Sequence, residues 1–539
     1  MTDASPVRLP DAVAQARQFL KQGRNAEAAK VFRSLPKLYG HNKLKVISQA
    51  AEGLLKCGCW SEAIALFNAG LAVNPVSPRY LGGLAEAYAA AKDYARAASY
   101  LERNVARDPS PINLVGLGFM QSLAESWEAA EATYARALAA EPLSEDAGLG
   151  RGDALMRLGR NEEAVSVYRR VVSINPDNAA ALMKLGTALV HPSTAPEAEA
   201  LLRRSVEIEP RNTPAYANLA TVCFLQNKVA EAVAWGRKAV QANPDAEGAQ
   251  YIFGIMSLEA GDAAGALPAL RRAAQLAPKH AGVMAAVAVA ETMLDNVSAA
   301  ELAWHVVLTL DPQNTAARHM LSALQAAAVA RLPAGYVERH FDDSAERYDH
   351  ARSATYRAPQ DIAGLLATRL GGFRRWLDLG CGTGLAAEAL RDCAKFDVSV
   401  GIDASSKMLD RARAKNLYGD LLQGDALAIL NDMSEPFDLI TAVDLLPYIG
   451  DLGGFVPAVA RRLAPKGIFA YSAERLTDGA YKLERSGRFS HSAAYIENLA
   501  RASGLTPVDR REVILRMERS RPVVGIIGLF EKSILEKSA

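Results

Sequence analysis

A glycine-rich segment in the C-terminal half has the residue types and spacing of a ligand-binding turn. Trp376–Leu379 is short and apolar, and Ala386–Leu390 consists of good helix formers. Between them lie Gly380, Gly382 and Gly384. This pattern predicts a strand, a turn and a helix. Glycine is needed there because a side chain would block a cofactor lying across the strand end, and because tight turns use positive φ.

An acidic residue, Asp378, stands two positions before the first of these glycines. Enzymes that bind dinucleotides use the spacing G-x-G-x-x-G and hold a pyrophosphate at the helix N-terminus. Here the spacing is G-x-G-x-G, and a carboxylate at that strand end would repel a pyrophosphate. It suits a cofactor that carries a cationic amino group and a sulfonium. Cys381 lies within the turn, where the backbone contacts need only a small residue, and we do not expect a catalytic thiol.

Four more strands are predicted after the glycine turn, and three of them end at an acid. "VSVGID" ends at Asp403, "LYGDLLQGDAL" contains a strand that ends at Asp425, and "PFDLITAVDLLPYI" contains one that ends near Asp444. "LAPKGIFAYSAE" is the fifth, and helical stretches lie between the strands. In open α/β sheets an acid at the end of the second strand accepts hydrogen bonds from ribose hydroxyls. Asp509–Lys532 predicts two further antiparallel strands.

This series of motifs resembles the class I S-adenosylmethionine-dependent methyltransferases over residues 336–539. Together with the N-terminal repeats described below and the segment Ser486–Leu505, it resembles bacterial methyltransferases that contain tetratricopeptide repeats. The resemblance implies an α/β Rossmann-like domain with a C-terminal antiparallel β-hairpin, and S-adenosylmethionine as the cofactor.

The resemblance also implies cofactor-binding positions at the strand ends and in an N-terminal lid helix, "FDDSAERYDHAR" at residues 341–352. The glycine turn and its preceding acid would hold the methionine end, and Asp403 the ribose hydroxyls. Met408 would lie against the ribose–adenine edge, Asp425 would accept from the adenine amino group, and Asp444 would mark the floor between cofactor and substrate. The full set is Tyr348, Asp378, Gly380, Cys381, Gly382, Gly384, Asp403, Ala404, Met408, Asp425, Ala426 and Asp444.

Two residues are candidates for catalysis, Tyr448 and His491. Methyl transfer from a sulfonium is an in-line displacement, for which the protein supplies alignment and, for a weakly acidic nucleophile, a base. His491 could be that base, or a substrate hydrogen bonder, or a residue that starts a helix. The acceptor pocket is expected to draw on residues at the ends of the fourth and fifth strands and beyond, namely Asp444, Tyr448, Glu474, Arg488, His491 and Tyr495.

The N-terminal part carries a repeat of 33 or 34 residues, marked by prolines. An Ala or Gly stands 12 and 24 residues before each proline, which predicts a helical hairpin whose helices cross closely at small side chains. The pattern resembles the tetratricopeptide repeat, whose arrays form a superhelical solenoid with a concave groove for peptides. The prolines are Pro75, Pro109, Pro142, Pro176, Pro210, Pro244, Pro278 and Pro312.

We predict eight repeats, a degenerate unit near Gly23–Phe32 and a capping helix within Thr315–Ala330. The predicted domains are therefore residues 1–330, an all-α solenoid, and residues 331–539, the methyltransferase domain. The later repeats expose apolar residues such as Tyr251 and Val289 on the expected inner face. These residues either pack against the second domain or form an open ligand groove.

Composition excludes some classes of protein. Lys and Arg total 61 against 60 for Asp and Glu, which argues against a large surface for nucleic acid. No signal peptide, membrane span, metal site or disulfide pattern is evident, so we expect a cytoplasmic protein with free thiols.

Three functions remain open. The first is methyl transfer to an oxygen or nitrogen of a small molecule or glycan, with the repeats as a docking or dimerisation arm. The second is a protein methyltransferase whose repeat groove captures its target. The third is a non-enzymatic scaffold.

Overall fold

A computed structural model describes residues 8–40, 43–325, 329–333, 335–349, 356–367, 369, 373–391, 393, 395–519 and 521–533. The chain divides into two compact units, Met1–Leu189 and Val190–Ala539. The division falls inside the repeat array, so the domain boundary near residue 330 stays a prediction. None of the helices in these ranges is long and apolar enough to cross a membrane.

The first unit consists of helices, each packed against the next. The small residues of the repeat lie at these contacts: Ala63, Ala97 and Ala130 have no exposed surface. A Cβ added to Gly152 would lie 2.2 Å from the ring of Tyr168, so only glycine allows that approach. The helices are α1 Leu9–Lys21, α2 Asn25–Tyr39, α3 Leu44–Lys56, α4 Trp60–Val73, α5 Pro78–Ala90, α6 Tyr94–Val105, α7 Pro111–Leu123, α8 Trp127–Ala140, α9 Glu145–Arg157, α10 Asn161–Ile174 and α11 Ala179–Ala188.

The second unit begins with further helices of the same pattern. Two of the turns after an anchor proline end in an asparagine that caps the next helix: Asn212 Oδ1 accepts from Ala215 N, and Asn314 Oδ1 accepts from Ala317 N. These helices are α12 Ala195–Ile208, α13 Thr213–Leu225, α14 Val229–Ala242, α15 Glu247–Glu259, α16 Ala263–Leu276, α17 Ala281–Met293, α18 Val297–Leu310 and α19 Thr315–Leu324.

The helices confirm the predicted solenoid with repeats. Within the described residues, α3 to α10 form four packed helix pairs in the first unit and α13 to α18 form three in the second, while α1 packs with α2 where the extra N-terminal unit is predicted. That unit is a complete helix pair. The count of eight repeats stays a prediction. Helix α19 lies within the predicted capping segment and ends at Leu324, while residues 326–328 of that segment lie outside the described ranges.

Over the described residues, the α/β part forms a sheet of nine strands. Seven follow the order β3-β2-β1-β4-β5-β7-β6, and β9 pairs antiparallel with both β5 and β8. Its core strands β3, β2, β1, β4 and β5 are parallel neighbours. The strands are β1 Arg375–Leu379, β2 Val398–Asp403, β3 Asp420–Gln423, β4 Phe437–Ala442, β5 Leu463–Leu476, β6 Tyr481–Leu483, β7 Phe489–Ser492, β8 Leu505–Glu518 and β9 Arg521–Lys532.

Helices precede and alternate with these strands, which confirms the predicted Rossmann-like domain with a C-terminal hairpin. Strand β1 lies between β2 and β4, where the order along the chain reverses, and ligands bind at the carboxyl ends of the strands at such a point. The sequence did not reveal the short hairpin β6–β7. The helices are α20 Tyr336–Ser344, α21 Ala358–Leu366, α22 Leu385–Leu390, α23 Ser406–Lys415, α24 Ala426–Asp432, α25 Phe455–Arg462 and α26 Ala493–Ala502.

Candidate functional site

A cavity of about 550 Å³ lies at the carboxyl ends of β1, β2 and β4. One wall is the glycine turn and the strand ends, and the other is the lid segment, which we define as residues 331–333 and 335–349. Ten of the predicted site residues line it. They are Tyr348, Gly380, Gly382, Asp403, Ala404, Met408, Asp425, Ala426, Asp444 and Tyr448.

The glycine turn is fixed by its own backbone. The amides of Gly380 and Cys381 both donate to the carbonyl of Ile402, at 2.8 and 2.9 Å. All three glycines have positive φ, between 54° and 90°. A Cβ on Gly380 would approach Leu445 to 3.0 Å, whereas one on Gly382 would meet no heavy atom within 4 Å. Gly382 therefore presents bare backbone to open space in the cavity, as close approach of a ligand requires.

Asp403, at the end of β2, accepts two backbone hydrogen bonds. Gly382 N donates to Oδ2 at 2.8 Å, and Ser405 N donates to Oδ1 at 2.9 Å. Burial raises the pKa of this carboxyl, and the backbone donors oppose that rise. Each carboxylate oxygen has further lone pairs, so the group can still accept from a ligand. Asp403 thus ties the glycine turn to the second strand.

Asp378 lies beneath the glycine turn and does not line the large cavity. Its side chain is 1% exposed and accepts from Thr441 Oγ1 and from the Tyr418 hydroxyl, both at 2.6 Å. Burial raises the pKa of Asp378 to about 6, although both hydroxyl donors lower it. With Cys381 it lines a second cavity of about 30 Å³, which shares Gly380 and Gly382 with the large one.

The next two strand ends lead into helices. Ser405 Oγ accepts from Met408 N and begins α23, and Met408 itself is fully buried at the cavity wall. Asp425 Oδ1 accepts from Ala428 N at 2.8 Å and begins α24. The Asp425 side chain is exposed, so its other oxygen faces water or a ligand.

Asp444 takes part in a buried ionic network that sequence reasoning missed. Arg516, on β8, donates to Asp444 Oδ1 at 2.8 Å and also to Glu474 Oε1. Glu474 accepts a second bond from Arg488, which in turn pairs with Glu518. Asp444 has φ of 58°, and its backbone amide donates to Ser472 Oγ. The network therefore holds an acidic side chain of the cavity in an unusual backbone conformation.

Aromatic side chains close the cavity on the lid side. The ring of Phe341 lies edge-on to Tyr448 with centroids 5.2 Å apart, and it contacts Tyr348 in the same way at 6.0 Å. Burial raises the pKa of Tyr448 well above its ordinary value. Its phenol therefore stays protonated at neutral pH, where it can donate a hydrogen bond but cannot act as a base.

His491 is the main correction to the predicted site. It has no exposed surface, does not line the cavity, and its Nε2 donates to the Gly450 carbonyl at 2.9 Å. Burial lowers the pKa of His491 to about 4. The side chain is a structural support for the Gly450 turn, and the geometry gives no basis for a general base. Glu474, Arg488 and Tyr495 also lie outside the cavity lining.

The charges of the cavity distinguish between ligands. Among the described residues that line it, Arg331 is the only basic one, against four acids: Glu338, Asp403, Asp425 and Asp444. A pyrophosphate would meet net negative charge there, whereas a cationic ligand would not. The glycine turn, the strand-end acids and the acidic lining fit S-adenosylmethionine, which the fold implies.

Comparison with known proteins gives the family. Residues 377–467 match a model described as a methyltransferase domain. Residues 152–190 match a TPR repeat model, and residues 49–110 and 195–247 match a tetratricopeptide repeat model. A ubiquinone biosynthesis O-methyltransferase of Chelativorans sp. (strain BNC1) is 32% identical over 187 residues, which cover 30% of this chain and 73% of that protein. The chain belongs to the methyltransferases and carries tetratricopeptide repeats.

Other known proteins match this chain over smaller shares of their own length. A trans-aconitate 2-methyltransferase of Paracidovorax citrulli (strain AAC00-1) is 33% identical over 94 residues, 17% of this chain and 36% of that protein. The chain spans only 30% to 48% of the length of six further curated relatives that it matches. A solved structure, the APC/C hetero-tetramer Cut9-Hcn1, has a TM-score of 0.40 at 16% identity, covering 58% of this chain and 63% of that one. That likeness is too low to support an argument.

Several parts of the methyltransferase site had no clear signal in the sequence. Phe341 stands in the predicted lid helix, but nothing marked it as the ring between two tyrosines. Arg516 had a weak signal, since it is a charged residue between Leu515 and Met517 in a predicted strand. Gly384 caps α22 outside both cavities, so its role is to start the helix. Residues 350–352 of the predicted lid lie outside the described ranges.

Proposed function

We propose that the cavity binds S-adenosylmethionine and that the chain transfers its methyl group to an oxygen or nitrogen of a small molecule or glycan. The observation that carries this proposal is the cavity itself, in which bare glycine backbone and strand-end carboxylates face an aromatic lid. When bound, the cofactor supplies an electrophilic methyl group on sulfur. The protein contributes alignment of the acceptor and exclusion of water.

Each side chain of the cavity has a role in this proposal. Asp403 accepts from the ribose hydroxyls and, because Gly382 donates to it, also fixes the turn beneath the ligand. Asp425 offers its free oxygen to the adenine amino group. Asp378 contributes negative charge beneath the turn without touching solvent. These roles follow from position and charge, and from the family resemblance.

The lid favours a small acceptor. The ring of Phe341 contacts both Tyr348 and Tyr448 at the cavity wall, and Leu332 and Val337 add apolar surface. A folded protein surface could not enter beneath these rings, whereas a small molecule with an apolar part could. In this proposal Tyr448 donates a hydrogen bond to the acceptor.

A second candidate, methylation of a protein target, has one observation in its favour. The first unit contains a groove of about 670 Å³ with both apolar and charged lining, including Phe119, Trp127, Asp153, Arg157 and Lys184. Phe119 is 53% exposed there, and an exposed apolar side chain in a groove is typical of a protein-binding site. In that case the groove would hold the target chain.

A labelled methyl-transfer assay tests the proposal and separates the two candidates. The full chain and methyl-labelled S-adenosylmethionine are incubated with a cell extract, and label is measured in the low-mass and protein fractions. We expect label at low mass that is unaffected by Phe119→Asp. Ile112→Asp, on the same helix but outside the groove lining, is the matched control. Label in protein that falls with Phe119→Asp alone would favour the second candidate, and no transfer to either fraction would contradict both.

A further inference from the structure

We propose that the last repeat helix, α19, holds the lid of the cofactor cavity in place, with His319 and Thr315 as positioning residues. The repeats would then be coupled to the cofactor site and would not serve only as a separate arm. The inference deepens the proposed function and rests on it for its effect on cofactor binding. All contacts that carry it lie within the second compact unit.

His319 is the centre of this contact. Its side chain is 1% exposed, and its Nε2 lies 2.6 Å from the carbonyl of Gly487, in the turn between β6 and β7. Because a carbonyl only accepts, Nε2 carries the proton and donates. On its other side, the imidazole lies against the ring of Tyr336, the first residue of α20, with centroids 4.6 Å apart. One side chain of the repeat array therefore touches both the hairpin and the lid helix.

The backbone of Gly487 packs tightly against side chains of α19. Gly487 has φ of +81°, and a Cβ there would lie 3.0 Å from Met320 Sδ and 3.1 Å from His319 Nε2. The same hairpin joins a small apolar cluster in which Leu483 and Phe489 pack with Ala323 of α19 and with Leu332 of the lid segment. Leu332 also lines the cofactor cavity, so the cluster links the repeat helix to the cavity wall.

A second contact supports the lid from the start of α19. Arg339 of α20 donates to Thr315 Oγ1 at 2.7 Å. Val337, Glu338 and Phe341 of the same lid helix line the cavity. The lid helix is therefore held by α19 at two points, one turn apart, while its opposite face borders the ligand space.

The methyltransferase core also anchors the lid, at residues just before and just after those that contact α19. Asp451 N donates to the Ala330 carbonyl at 3.0 Å, and Arg331 forms an isolated bridge with Ile449. Asp342 accepts from Ser405 Oγ at 2.6 Å. The lid thus lies between two supports, and α19 is the one that belongs to the repeat array.

Partly exposed contacts between earlier repeats and the α/β part are weaker supports. Arg485 pairs with Asp295, and Arg519 lies 3.8 Å from Glu259 and 3.6 Å from Met293 Sδ. Exposed ion pairs contribute little because water screens them and the side chains lose freedom. These contacts favour one of the alternatives left open by the sequence, in which the later repeats pack against the second domain. The buried contact at His319 is the one expected to matter.

Hydrogen exchange of the full chain tests the inference without any ligand. We expect His319→Ala to speed amide exchange at residues 335–344 at least tenfold relative to the wild type. His319→Gln, which can still donate to the Gly487 carbonyl, is expected to restore most of the protection, and His305→Ala, an exposed residue of α18, to leave it unchanged. Equal exchange at residues 335–344 in His319→Ala and the wild type would overturn the proposal.

Cofactor binding supplies the second measurement. His319→Ala should weaken S-adenosylmethionine binding at least tenfold, with His319→Gln in between. If His319→Ala does not fold, Thr315→Ala removes only the Arg339 contact and should give a smaller change of the same kind in both measurements. If His319→Ala speeds exchange at residues 335–344 as expected but the wild type binds no S-adenosylmethionine, the proposed function is contradicted. The inference that α19 supports the lid is then unaffected. Loss of protection with unchanged affinity would overturn the coupling.

Discussion

Arg516 donates through Nη1 to Asp444 Oδ1 at 2.8 Å, and both side chains are almost completely withdrawn from water. The two residues stand 72 positions apart. Asp444 lies at the cavity and Arg516 does not, so the arginine acts on the site through the position of the carboxylate. A buried charge of this kind depends on its partner, because an unpaired ion in the interior is costly.

Removal of Arg516 should therefore destabilise the protein and disturb the site. For Arg516→Met we expect the free energy of unfolding to fall by about 3–5 kcal/mol, because Asp444 and Glu474 lose a buried counter-charge. The measurement is urea unfolding of the full chain. Arg511→Met, an exposed arginine of the same strand, should change stability by less than about 0.5 kcal/mol. Equal effects of the two substitutions would show that the buried Arg516 contributes no more to the free energy of unfolding than an exposed arginine does.

Gly382 offers a test that separates backbone strain from ligand contact. Gly382→Ala places a residue at φ of +54°, which costs about 1 kcal/mol of stability, and its methyl group would point into the open cavity. Gly159→Ala, at φ of +73° with open space around it, should cost a similar amount. We expect calorimetry to show at least tenfold weaker S-adenosylmethionine binding only for Gly382→Ala. Unchanged binding would mean that the cofactor does not approach this turn.

His491 predicts how stability depends on pH. Its folded pKa of about 4 lies below the unfolded value of about 6.5, so acid protonates the unfolded chain first. The stabilisation is complete above about pH 6.5 and is lost as the pH falls towards 4. Between pH 7.5 and 5 the loss through this residue should be about 2 kcal/mol.

Urea unfolding at both pH values checks this expectation. His491→Gln should lose about 2 kcal/mol less than the wild type over that range, whereas His305→Gln, which changes an exposed histidine, should behave as the wild type does. Equal losses in all three proteins would contradict a neutral, buried His491.

Asp378 predicts how cofactor affinity depends on pH. Its pKa is raised to about 6, so below that pH the carboxyl is protonated and no longer attracts a cation. We expect S-adenosylmethionine affinity to fall as the pH drops through about 6. Tyr418→Phe removes a donor that lowers this pKa, so the midpoint should move upward. Calorimetry between pH 5.5 and 8 measures both midpoints, and coincident curves would show that Asp378 does not act on the ligand.

The sequence predicted the features that depend on local constraints. Proline spacing and buried small residues define the helix pairs because close helix crossing excludes large side chains. The glycine turn is equally local, since Gly380 and Gly382 need positive φ whatever surrounds them. The acids at the strand ends were found because parallel strands bring their carboxyl ends to one edge.

Contacts between distant parts of the chain could not be predicted in this way. The pairing of Arg516 with Asp444 depends on how the C-terminal hairpin lies beside β5, which no local pattern encodes. His491 was a candidate for catalysis because it lies in the segment Ser486–Leu505, which carries part of the family resemblance, yet the fold buries it against Gly450. The contact of His319 with Gly487 likewise joins a repeat helix to a hairpin that sequence reasoning did not detect.

Calorimetric titration of the full chain with S-adenosylmethionine and, separately, with NAD tests the central claim most directly. We predict binding of S-adenosylmethionine but not of NAD, with affinity at least tenfold weaker in Asp403→Asn and unchanged in Asp397→Asn, an exposed residue just before β2. Binding of NAD, or S-adenosylmethionine binding that Asp403→Asn leaves intact, would contradict the proposed site.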